Sequence, residues 1–146
     1  MPAEAPPQLF DVASSQARHI RAGDSVKLAM LRGPDHVLGT SVFLEIWERG
    51  GSQPPNSHPR SVETFLFLRG TGTAYCDGTR LSVHAGQLLV LPAGSVHRIE
   101  SSQAQRLFAI TTMAPDDGFA ALVGRGEPAP LDEVERAVLA QAALTG

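Results

Sequence analysis

Between positions 26 and 112, apolar residues come in short β-branched or aromatic runs separated by glycine-rich turns, a pattern that predicts antiparallel β-structure with little room for helices. The expected strands are VKLAML (26–31), SVFLEIWE (41–48), TFLFLRG (64–70), TAYC (73–76), TRLSVH (79–84), QLLVLP (87–92), SVHRIE (95–100) and RLFAITT (106–112). Asp77-Gly78 joins two of them as a two-residue hairpin, because this pair tolerates the positive φ angles of a type I′ turn. Many evenly spaced strands imply a sandwich or barrel, the arrangements that protect sheet edges.

After Ala114 the period changes. DDGFAALVG and LDEVERAVLAQAAL carry apolar residues at helical spacing, with Leu131, Val134, Val138 and Ala142 expected on one face and Asp132 with Glu135 resembling a capping box. The organisation expected is an N-terminal arm over 1–25, loose through Pro7, a β-unit over 26–114, and a C-terminal helical segment over 115–146 that packs outside as a lid or brace.

Composition narrows the function classes. At 146 residues and 42% apolar, the chain can bury the core of one domain. A net charge of -3 gives no basic stripe for a phosphate backbone, so no nucleic-acid partner is expected. No apolar run reaches the length of a membrane span, and MPAEAPPQLFDV lacks the basic and apolar regions of a signal peptide. The expectation is a cytoplasmic protein with no membrane contact. Cys76, the single cysteine, is expected to be a small buried strand residue without redox chemistry.

Candidate chemistry gathers in Asn56, His58, Glu63 and His97. Residues 56 and 58 point to one side of an extended segment. Glu63 lies an odd step from His58, so reaching the same site requires a break, which Pro59, Arg60 and Ser61 can supply. Beyond it, Glu63, Phe65 and Phe67 alternate on one face and set a carboxylate beside an apolar lining. His97 follows the turn PAGSV on a separate run. Two imidazoles and one carboxylate, if they converge, form the arrangement that binds Fe(II) and related ions while leaving positions open for substrate or oxygen. His19, His36 and His84 have no comparable companions, and His84 is expected at the surface.

These residues resemble the motifs of the cupin superfamily, and in particular small single-domain quercetinase-like cupins. In the first motif, G(X)5HXH(X)3,4E(X)6G, Gly50, His58, Glu63 and Gly70 fit, with Asn56 in place of the first histidine. In the second, G(X)5PXG(X)2H(X)3N, Gly86, Pro92, Gly94 and His97 fit, with Ser101 in place of the asparagine. The resemblance implies an all-β, jelly-roll β-barrel with a C-terminal helix, a divalent metal (Fe, Mn, Ni or Zn) on His58, Glu63 and His97, and a homodimer. The dimer has a physical motive in VKLAML, which alternates too little to face water and could pair across subunits. Asn56 then has three possible roles: absent from a three-ligand site, a fourth ligand through its carbonyl, or a contact to substrate or water. An amide oxygen is a poorer partner than imidazole for transition metals.

Three functions compete. One is a metal-dependent dioxygenase acting on a small enolic or aromatic compound, with Phe65, Phe67, Trp47 and Phe108 as candidate lining of a pocket for a ring. The second is a non-redox isomerase, cyclase or lyase in which the metal polarises a carbonyl. The third is a non-catalytic small-molecule-binding module.

Overall fold

The computed structural model describes residues 5–35 and 38–144, with side chains to residue 141. His36 and the Ala142 side chain, both considered above, lie outside the described residues. All eight expected strands form: β2 (Val26–Arg32), β3 (Ser41–Trp47), β4 (Val62–Arg69), β5 (Thr71–Cys76), β6 (Thr79–His84), β7 (Leu88–Leu91), β8 (His97–Ser101) and β9 (Leu107–Ala114). Two short strands join them, β1 (Ala17–His19) within the segment expected as an arm and β10 (Glu127–Pro128). They build two antiparallel sheets, ordered β10-β1-β2-β3-β9-β4-β7 and β6-β5-β8, the two layers of a jelly roll. Asp77 (φ 50°) and Gly78 (φ 79°) turn the hairpin between β5 and β6 as expected.

Period-two alternation places the core. Phe43, Trp47, Phe65, Phe67, Leu107 and Ala109 point between the sheets and pack with Ile99 and Val83 of the smaller sheet. The intervening residues Leu44, Ile46 and Phe108 face outward, where Leu131 and Val138 cover them. Cys76 is buried, as expected. At Gly70 (φ 91°) any Cβ would collide with the Arg106 carbonyl, so the turn from β4 into β5 requires glycine. β2 is paired with β1 on one side and β3 on the other, which makes it an internal strand. The expected motive for pairing through VKLAML across subunits is therefore corrected: β1 and β3 already take up its hydrogen-bonding sides.

Two α-helices lie beyond β9, on either side of β10: α1 (Phe119–Gly124) and α2 (Glu133–Leu144). Asp132 and Glu135 form the expected capping box, the Asp132 amide donating to Glu135 at 2.9 Å and the Glu135 amide to Asp132 at 2.8 Å. The buried face of α2 differs from expectation. Val134 is 48% exposed, whereas Glu135 is fully buried. Electrostatics decides this, because Lys27 Nζ donates to Glu135 at 2.7 Å and Arg106 at 3.0 Å, which satisfies the carboxylate against the sheet. Glu135→Ala is thus expected to cost about 3 kcal/mol in urea denaturation, since it removes both a cap and a buried ion-pair hub, while Val134→Ala changes little. Equal effects of the two substitutions would contradict this packing.

Candidate metal centre

The chain segment 56–58 is pinned to the segment before β8 by its own backbone. The Asn56 amide donates to the His97 carbonyl at 3.0 Å, His97 returns the bond at 2.9 Å, and the Gly94 amide donates to the His58 carbonyl at 2.8 Å. In such an antiparallel bridge the facing side chains share one side, so Asn56 and His97 point into the same space. The turn before His97 is braced by Asp77, which accepts from Ser95 Oγ at 2.7 Å and from the Val96 amide at 2.8 Å. A bend at Pro59 and Arg60 supplies the expected break, after which Glu63, Phe65 and Phe67 are buried on one face of β4.

The three expected ligands converge. One ligating atom each from His58, Glu63 and His97 lies within 4.8 Å of the others. His97 Nε2 is 2.8 Å from Glu63 Oε1, and His58 Nε2 is 3.7 Å from Glu63 Oε2. His97 Nδ1 lies 3.1 Å from the Ser95 carbonyl, to which it donates, leaving Nε2 to face the carboxylate. Despite these approaches, His58 Nε2 and Glu63 Oε1 are buried without a hydrogen bond. Buried polar atoms are seldom left so, and a cation between two imidazole nitrogens and a carboxylate would satisfy them together. The donor set fits a divalent metal.

Electrostatics separates the two imidazoles of the cluster. Burial lowers the His58 pKa, more than Glu63 raises it, so its Nε2 stays a neutral donor. For His97, burial pulls the pKa down, but the Glu63 carboxylate and the Ser95 carbonyl outweigh it and the pKa is raised. A further carboxyl shares the space: Glu45 of β3, which burial and the nearby Glu63 charge push up to about 8.

The cluster opens into a cavity of about 210 Å³ whose walls include Val26, Leu28, Phe65 and Phe119, with Arg21, Gln53 and Asn56 also lining it. α1 forms one wall. Asp116, buried, accepts from Ser41 Oγ at 2.6 Å and from the Ala120 amide at 3.0 Å, which sets Phe119 edge-on to Phe43 and His58 at 5.2 and 5.4 Å.

Of the four aromatics expected to line a pocket, Phe65 does so. Phe67 stacks behind it at 6.3 Å, and Trp47 lies one layer back, donating to Gln53 at 2.7 Å. Phe108 is on the opposite face of the sheet, beneath α2, because it pairs with outward-facing Ile46. It is corrected from the pocket lining to the outer core. Asn56 lines the cavity and its Nδ2 donates to the Pro54 carbonyl at 3.3 Å. Sequence reasoning missed Glu45 and Phe119. The signal for Glu45 was available: it is the one charged residue inside the run SVFLEIW and shares parity with Phe43 and Trp47.

Comparison with known proteins agrees with this fold. Residues 43–112 match the family described as Cupin domain. Germin-like protein 3-5 of Oryza sativa subsp. japonica is 26% identical over 125 residues, covering 75% of this chain and 54% of its own length. The chain thus spans about half the length of that relative. A predicted oxalate decarboxylase of Thermotoga maritima has the same fold at TM-score 0.65 and 18% identity, over 73% of this chain and 97% of that one. A recombinant oxalate oxidase in complex with glycolate matches at TM-score 0.60 and 21% identity, over 75% of this chain and 61% of that one. The domain match, which spans both spaced motifs, makes residues 43–112 a cupin domain, and the solved structures share its jelly-roll fold.

Proposed function

We propose that this cupin is a metal-dependent oxygenase acting on a small enolic or aromatic compound. The observation that carries the reading is the convergence of His58, Glu63 and His97 at one side of a mainly apolar cavity, with His58 Nε2 and Glu63 Oε1 buried and unsatisfied. A divalent cation held there would supply Lewis acidity and, if redox-active, a means of engaging oxygen. The cavity between Phe65 and Phe119 offers space for a ligand beside such a cation. An oxygen electrode tests this with Fe(II)- or Mn(II)-loaded protein and a panel of catechols and enols. Metal-dependent oxygen consumption that Glu63→Ala abolishes is expected. Turnover without oxygen consumption would overturn the oxygenase and leave the non-redox reading, which the buried Glu45 carboxyl favours as a proton-holding group beside the ligand space.

Asn56 lines the cavity beside the cluster and bridges His97 through its backbone, so a longer imidazole there is directed to the same space. Asn56→His is expected to tighten Zn2+ binding by about tenfold, a scale comparable to altered support of metal ligands. A folded Asn56→His protein with equal or weaker affinity would place residue 56 on the cavity wall alone.

A further inference from the structure

β3 sends a carboxyl into a layer of aromatic residues. Glu45 is only 6% exposed and shares the inward face of its strand with Phe43 and Trp47. Thr111 Oγ1 donates to Glu45 Oε2 at 2.8 Å. Among the described residues no Lys or Arg is paired with it, and Arg21, which lines the same cavity, is an exposed residue. Burying a carboxyl on these terms is costly, and a barrel that only needed to hold a cation would be better filled by an apolar side chain. The Thr111 tether fixes the group in one orientation, and the cavity that Glu45 lines also contains His58, Glu63 and His97.

From this geometry we propose that Glu45 is the second anchor of the bound ligand. The ligand is a single-ring compound with two adjacent oxygens, one directed to the His58, Glu63, His97 cluster and the other hydrogen-bonded to Glu45. The inference rests on the proposed binding of a small oxygenated compound beside the cluster. Size agrees, because a cavity of about 210 Å³ admits one six-membered ring with small substituents, benzene being held by cavities of about 150 Å³. Chemistry agrees as well, since a carboxyl that accepts from Thr111 through one oxygen has a second oxygen with which to bind a ligand.

The test uses Zn2+-loaded protein under anaerobic conditions, with catechol and phenol titrated separately by calorimetry. Glu45→Met keeps the side-chain volume and removes both oxygens. It is expected to reduce the ratio of catechol to phenol affinity about tenfold, the scale of one buried hydrogen bond, with zinc content retained. Glu45→Gln, whose amide can donate and accept, is expected to retain most of the preference. If Glu45→Met does not fold, Thr111→Val serves in its place, because it releases the tether and should lower the same ratio. An unchanged ratio, or a parallel loss of both ligands, overturns the assignment while leaving the cavity as the binding site. Failure of the parent protein to bind either compound overturns the ligand reading itself, and the anchor with it.

Discussion

Replacing His97 by Ala is expected to weaken Zn2+ binding at least about a hundredfold while the barrel stays folded. His97 supplies one of three converging atoms, and the loss of even a supporting contact to a metal ligand costs about 10- to 100-fold. The fold survives because the bridge between positions 56 and 97 is made by backbone atoms, which Ala retains. The parent should also lose affinity in acid through the same residue. A cation needs the unprotonated Nε2, and the His97 pKa is raised, so protons compete there above the ordinary histidine value of about 6.5. His58, whose pKa is lowered, competes only at lower pH. Competition titration against a chromophoric chelator, with circular dichroism as the control for folding, reads both effects. Unchanged zinc affinity in folded His97→Ala would remove this residue from the ligand set.

The other large effect is on stability. Glu45 carries a native pKa of about 8 against an ordinary value of 4.5, so its ionised form is disfavoured by folding. The unfolded chain releases this proton near 4.5 and the native protein near 8, so the penalty is absent below that window, grows as pH rises through it, and is constant above. Glu45→Gln keeps an acceptor for Thr111 and has no charge to bury. It is expected to stabilise the cation-free protein at pH 8.5 by a few kcal/mol, with about 5 kcal/mol as the ceiling, and to have little effect at pH 4.5. Urea denaturation in the presence of a chelator measures the difference. The same change at both pH values would mean that Glu45 titrates normally in the native state.

What could be read before the fold was known follows from the range of the forces involved. The eight main strands and the hairpin at Asp77-Gly78 are local: alternation, β-branched residues and turn chemistry act within a few positions. The two ligand-bearing segments were legible because each has a fixed spacing, and the bend at Pro59 resolves the parity conflict between His58 and Glu63. Phe108 was misplaced because an aromatic in a strand buried on both faces packs equally well on either. Its orientation is set by pairing with Ile46, far away in the sequence. Glu135 reached the interior of α2 in place of Val134 through Lys27 and Arg106, whose proximity no helical periodicity encodes. β1 and β10 contain three and two residues, too few to show a period, and each is held by its partner strand.

The central claim is that His58, Glu63 and His97 together hold one divalent cation. Zinc K-edge X-ray absorption of protein loaded with one Zn2+ per chain tests it most directly. The account predicts two imidazole ligands with their multiple-scattering signature and oxygen ligands, all at about 2.0–2.2 Å, with one imidazole lost in His58→Ala and one in His97→Ala. A spectrum with only oxygen neighbours, or one that neither substitution alters, would contradict it.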